Sequence, residues 1–382
     1  MKVKKWVTST LRLAAMLGVL SACGEEDGPR QSGKDSGAGE RKDGGDAGFD
    51  ANVFVPPEEQ LPTLPPDDPD SGAPPGAQFF KKNNPVIYLN DYPDSVYTDA
   101  YMYALAANDV VRLVGVISTG IDCKCGAGDN VESSARRQEW IDAARDAGFA
   151  KIPNNTPGTW GPPMMKPDSG VIAETARMPS AGSDLIVAQA KLATREVPLL
   201  IVSGGPITTL ADAYLKDPSI TQTIVVSWLA GSFQRGRDPE ITLDGYNGGA
   251  DRWATEIVLR NFRVFIFPTD LDPPLVSECR IDSDIPPSPL RDLLFQSGYF
   301  MSGRDADGAP AVTINFPAYM KEYNRISMTD GLNTVVNPNG NLWLLRAGDA
   351  AGGGEEFFRE LRKAYKVPAD AGSFASDAGC VP

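Results

Sequence analysis

Asp91, Asp94 and Asp99 lie within nine residues of one another, directly behind a short apolar run at 85–90, and Asp330 stands far downstream. Carboxylates gathered behind a strand supply the oxygen ligands that a hard divalent cation takes. A carboxylate so placed can also act as an acid or base, and Asp91 and Asp94 are candidates for function by their position behind the strand. The rest of the composition narrows the chemistry further. None of the 382 residues is His, which excludes Ser-His and Cys-His nucleophiles, HExxH zinc sites and every imidazole acid or base. What remains is carboxylates, amides, hydroxyls or a hard metal ion. With 36 basic against 50 acidic side chains and a formal charge of −14, the chain lacks the basic surface that a phosphate backbone requires, so nucleic acid is not an expected partner.

The elements that must hold these groups follow from the hydrophobic pattern. Apolar runs at 85–90, 110–117, 198–203, 224–228 and 264–267 read as strands. Between and beyond them, 98–107, 132–147, 183–195, 208–215, 251–260, 288–296 and 355–365 carry helical spacing. Strand and helix alternating at this scale predict an α/β domain, an open mostly parallel sheet with helices on both faces. In such sheets ligands sit beyond the carboxyl ends of the strands. Small and polar residues gather there: Asn90 and Asp91 after the first run, Gly204, Gly205 and Pro206 after the third, Gly231 and Ser232 after the fourth. Turns use the same residue types for conformational reasons alone, so no single one identifies a site. No phosphate-binding glycine pattern follows the first strand, and Gly352 to Gly354, before a Glu-rich helix and without a suitable Lys, read as a hinge or turn.

Taken in order, these segments resemble the nucleoside hydrolase family, of the inosine-uridine preferring kind. The stretch 90–100 is similar to that family's opening aspartate cluster and the helix start behind it. Leu113 to Thr119 is similar to its Leu-x-Gly-Ile-Thr-Thr strand, and Gly205 to Ala211 to its Gly-Pro-Leu-Thr-Asn-Leu-Ala turn. Tyr246, Asn247 and Asp251 resemble its Glu-Phe-Asn segment and following Asp, and Thr329 to Leu332 falls where the family has His-Asp-Pro-Leu. The resemblance runs over residues 85–340. It implies a nucleoside-hydrolase-like fold and hydrolysis of the N-glycosidic bond of a nucleoside or related N-riboside by metal-activated water. It further implies calcium held by Asp99, Asp330 and the Gly204 carbonyl, and substrate bound by Asn90, Thr98 and Asn247. The chain departs from the pattern where Asn90 and Tyr92 stand for two of the family's aspartates, Thr98 for its ribose-binding aspartate, Gly245 for its glutamate and Thr329 for its histidine. Asp91 or Asp94 would then have to move into the gap. The alternative reading is a catalytically degenerate protein that binds a nucleoside or sugar, with Tyr92, Trp228 or Tyr246 stacking on a ring or buried in the core.

The N-terminal part is organised differently. Lys2, Lys4 and Lys5 precede a short apolar run at 11–20, the pattern of an export signal over residues 1–22. Leu20 to Cys23 resembles the bacterial lipobox, which implies a lipid-anchored protein of the cell envelope attached to the membrane through Cys23; ordinary cleavage near Ala22 is the alternative. Residues 24–78 hold 10 Gly and 9 Pro, with 13 acidic against 4 basic side chains, a composition that cannot bury enough surface to offset chain entropy. The segment 23–79 therefore reads as a tether and 80–382 as the folded domain. Cys123, Cys125, Cys279 and Cys380 suggest disulfides in an exported protein, in an order the spacing leaves open. Whether copies form a homo-oligomer is open as well.

Overall fold

The structure, a computed structural model, describes residues 84–91, 96–121, 130–233, 241–243, 245–268, 275–296, 303–304, 310–313, 320–325, 342–348 and 350–374. The export signal, the tether, Tyr92, Asp94, Cys123, Cys125, Asp330 and Cys380 lie outside them.

The first apolar run forms strand β1 (Pro85–Asn90), and all six of its residues are buried. Helix α1 (Val96–Ala107) leads to β2 (Arg112–Ser118), and α2 (Asn130–Asp146) to the short β3 (Asn155–Pro157). Then come α3 (Ala181–Ala190), β4 (Leu199–Ser203), α4 (Thr208–Lys216) and β5 (Ile224–Leu229). A two-stranded ribbon, β6 (Ser232–Phe233) with β7 (Ile241–Thr242), and the single turn α5 (Tyr246–Gly249) precede α6 (Arg252–Asn261) and β8 (Arg263–Phe267). The remainder comprises β9 (Leu275–Ser277), α7 (Glu278–Asp284), α8 (Pro289–Gln296), β10 (Gly303–Arg304), β11 (Pro310–Thr313), β12 (Met320–Arg325), β13 (Leu342–Gly348) and α9 (Ala350–Ala364).

Eight strands make one sheet in the order β12-β13-β8-β5-β4-β1-β2-β3, and β9, β10 and β11 form a separate small one. Every pairing in the large sheet is parallel except β12 with β13. Side chains alternate between two cores as the strand period requires. Val86, Tyr88, Leu200, Val202, Val225 and Phe265 pack on the face covered by α1, α2, α8 and α9. Ile87, Leu89, Leu199, Ile201, Ile224 and Val226 pack on the opposite face, under α3, α4 and α6. Both faces being covered is why the central strands read as continuous apolar runs. Each fully buried Ile or Leu among them stabilises the fold by about 1.5–3 kcal/mol. The α/β class expected from the sequence is the one observed.

The position of β1 decides where a ligand can sit. It pairs with β2 on one side and β4 on the other, so successive connections leave it in opposite directions along the sheet. That is a topological switch point, the place beyond the carboxyl edge where ligands sit in open parallel sheets. Asn90 and Asp91 end one flanking strand; Gly204 and Gly205 end the other.

One expectation is corrected. Gly352 to Gly354 are not a turn but part of the first turns of α9. Glycine disfavours a helix interior by about 1 kcal/mol relative to Ala, a cost that packing further along the helix outweighs. The Phe357 ring meets Tyr97 and Tyr101 of α1, and Phe357, Phe358 and Leu361 are all buried in the core.

Candidate functional site

At the carboxyl edge of β1, the Asn90 and Leu89 carbonyls continue the ladder, accepting from Thr119 N (3.0 Å) and Gly204 N (2.9 Å). The loops behind β1, β2 and β4 are thus drawn together by backbone alone. Gly204 and Gly205 let them close up. A Cβ at Gly204 would lie 2.6 Å from Asn90 Oδ1, and one at Gly205 would lie 2.7 Å from Asp91 Cβ and 2.8 Å from its backbone nitrogen. The contact at Gly205 is with main chain, which cannot swing away, so Gly205→Ala is expected to destabilise the protein by about 1–3 kcal/mol, measured by urea unfolding. A loss within a few tenths of a kcal/mol would mean the loops are looser than this packing.

The Asp99 side chain, in the first turn of α1, is completely buried, and so is Arg137 from the middle of α2. Arg137 Nη1 donates to both carboxylate oxygens of Asp99, at 2.6 and 2.5 Å. Asn90 Nδ2 reaches Asp99 Oδ1 at 3.2 Å and also donates to the Tyr88 hydroxyl at 2.5 Å. That hydroxyl is itself hydrogen-bonded to Asp99. An ionised carboxylate offers about four acceptor sites, and here four contacts fill them. Arg137 has further oxygens around it: Nε donates to Ser118 Oγ at 3.2 Å and Nη2 to the Asp91 carbonyl at 3.3 Å.

The electrostatics follow from burial and pairing. Burial pushes the Asp99 carboxyl up, while the guanidinium beside it and the bonds from Tyr88, Asn90 and Arg137 pull it back. Burial works against the charged form of Arg137 too, but the Asp99 carboxylate outweighs it, and the guanidinium is held above its ordinary value. The Tyr88 and Tyr103 hydroxyls are pushed well up, by burial first and then by the negative charge of Asp99. Both hydroxyls are therefore held in the neutral, protonated form near neutrality.

On the other side of the switch point, Asn247 Nδ2 donates to the Gly204 carbonyl (3.0 Å) and to the Leu229 carbonyl (2.9 Å), tying α5 to the ends of β4 and β5. Trp228 is fully buried, and its Nε1 donates to the Gly205 carbonyl at 2.9 Å. It is a core residue beneath the rim, not a ring available for stacking. Asp251 caps α6 through Ala254 N (3.0 Å) and accepts from Thr208 Oγ1 (2.7 Å) and Met164 N (3.1 Å). Burial pushes its carboxyl up, against those three hydrogen bonds. Thr119 and Thr209 meet through their hydroxyls at 2.9 Å, and Thr209 Oγ1 also accepts from Thr159 N.

Of the residues singled out from the sequence, Asn90, Asp91, Thr98, Asp99, Gly204 and Asn247 therefore lie at or beside this rim, while Asp94 and Asp330 are outside the described residues. Asp91 and Thr98 are buried. Among the described residues, the donors are not free to take the divalent cation that the resemblance implies. Asp99 has its acceptor sites filled by Arg137, Asn90 and Tyr88, and the Gly204 carbonyl already accepts from Asn247. A divalent ion about 4 Å from the guanidinium would meet a repulsion of about 8 kcal/mol at an effective dielectric of about 20. Among the described residues, no three Asp, Glu or Cys side chains come together as a metal site. Arg137 was not foreseen from the sequence. Its signal is that it falls on the buried stripe of α2, in line with Ser133, Ile141 and Ala144, where a charge must have a partner.

An open, mostly parallel sheet with a polar rim at its switch point defines an α/β architecture, and solved structures narrow it. The chain is similar to a purine-preferring ribonucleoside hydrolase from Gardnerella vaginalis, with a TM-score of 0.52 at 15% identity over 74% of this chain and 100% of that one. It is similar to an inosine-guanosine nucleoside hydrolase, with a TM-score of 0.51 at 12% identity over 75% and 100%. A plant nucleoside hydrolase gives a TM-score of 0.50 at 14% identity over 74% and 99%. No family model and no curated protein matches the chain. The fold is thus nucleoside-hydrolase-like, and at such identities the likeness carries the fold alone.

Proposed function

We propose that the chain binds a nucleoside or a related sugar at the rim beside Asn90, Asp91 and Gly204, and that it does not cleave the N-glycosidic bond with metal-activated water. The fold and the polar residues at its switch point support the binding half of this reading. The observation that carries the other half is the buried Arg137–Asp99 pair. The carboxylate that would have to grip the ion and leave a position open for water is saturated by the protein itself. We further propose that the protein is exported and held at the cell envelope through a lipid on Cys23, so that the domain meets small molecules outside the cytoplasm. Among the described residues no helix is long and apolar enough to cross a membrane.

Calorimetric titration of the full chain with inosine, adenosine, uridine and ribose, with calcium and again with EDTA, tests this reading. A saturable heat that EDTA leaves unchanged is expected, with no release of free base above the uncatalysed rate. Calcium-dependent base release would restore the hydrolase, and no heat from any of the four would remove the binding role.

A further inference from the structure

We infer that the Arg137 guanidinium is the resident cation of the rim, filling by its own charge a cage of oxygens that would otherwise suit a divalent ion. Four oxygens converge on it from three separate segments: both carboxylate oxygens of Asp99 on α1, the Asp91 carbonyl behind β1, and Ser118 Oγ at the end of β2. Carboxylate, carbonyl and hydroxyl oxygens are the donors a hard cation takes. Buried oxygens need hydrogen-bond donors or a positive charge to offset their lost hydration. A guanidinium meets the requirement with donors fixed in a plane, is always charged, and cannot dissociate as an ion can. The cage is held behind the positive group as well, where Asn155 Oδ1 accepts from Ser118 Oγ at 2.9 Å.

Two consequences follow. The native protein has no use for a divalent ion at this rim, and removing the guanidinium while keeping the oxygens should create a site for one. This rests on the reading above only for where the site lies, and its test uses metal alone, so a failure to bind nucleosides would leave it standing.

The experiment compares the full-length wild type, Arg137→Ala and Arg137→Lys by thermal unfolding and calorimetry with calcium chloride and with EDTA. The wild type is expected to show no heat at the rim and the same Tm in both. Arg137→Ala is expected to unfold at a lower temperature in EDTA and to gain about 5 °C when calcium reaches about 100 times its Kd. If this variant folds only on refolding with calcium, that is the same result in stronger form. Arg137→Lys, which still supplies a positive charge, is expected to fold and ignore calcium. The inference is overturned if the wild type binds calcium at the rim, which adding Asp99→Asn would abolish. It is equally overturned if Arg137→Ala does not respond to calcium, whether because its Tm stays the same or because it folds in neither condition.

Discussion

Arg137→Ala and Asp99→Ala should each lower the free energy of unfolding by about 3–5 kcal/mol, because each leaves the other charge buried without a partner. Both side chains are fully buried, so solvent screening does not soften the loss. Replacing the pair together, as Asp99→Leu with Arg137→Met, removes two desolvation costs along with one attraction and should cost much less than the two single losses added. A double-mutant cycle in urea on Asp99→Leu and Arg137→Met, each alone and both together, would therefore give a coupling energy above about 2 kcal/mol. Two single losses below about 1 kcal/mol would show the pair to be hydrated, and with it the claim that Asp99 is unavailable would fall. Tyr88 and Asn90 share this network, so the cycle should be repeated in a Tyr88→Phe background, where the carboxylate loses one donor and the coupling changes.

Trp228→Ala should cost about 3–5 kcal/mol, the range for deleting a large buried ring. The indole fills the core beneath the rim, among side chains of β5, α4 and α6. Its loss would open a cavity directly under Gly205. Trp228→Phe keeps most of the volume and removes the bond to the Gly205 carbonyl, which still accepts from Ser203 Oγ at 3.2 Å. About 1–2 kcal/mol is expected for that milder change. The comparison separates two roles for the ring. A core residue loses stability in step with lost volume, whereas a stacking residue would lose nucleoside affinity in Trp228→Phe with stability nearly unchanged.

How far the sequence reached depends on what each segment buries. β1, β4, β5 and β8 are covered on both faces, and a strand covered on both faces has to be apolar throughout, so their runs could be read directly. β3 has only Asn155, Thr156 and Pro157, and β12 carries Lys321, Glu322 and Arg325 at the sheet edge, so neither shows a hydrophobic period. β13 begins with the apolar residues Leu342 to Leu345 and could have been read, but the described element before it is the strand β12, with no βαβ rhythm to mark it. The start of α9 was hidden by its three glycines, since the helix is held by the aromatic face further along it.

The site divides in the same way. The positions of Asp99 and Gly204 at one rim could be read because they follow strands, and strand ends share an edge in a parallel sheet, whereas Asn247 was singled out only by the family resemblance. The roles of all three could not be read. Asp99 is answered by a residue 38 positions away on another helix, and Asn247 by carbonyls at the ends of β4 and β5. Such pairings are set by how helices cross over the sheet, which local pattern does not encode. The one local clue was a cation on the buried stripe of α2.

The most direct measurement is a crystal of the domain grown with millimolar manganese chloride, with data collected at the manganese edge. The account predicts no anomalous peak at the carboxyl edge of β1 and a continuous Arg137 side chain reaching both oxygens of Asp99. A peak within about 2.0–2.6 Å of Asp99, with the guanidinium turned away, would contradict it and return the rim to a metal ion.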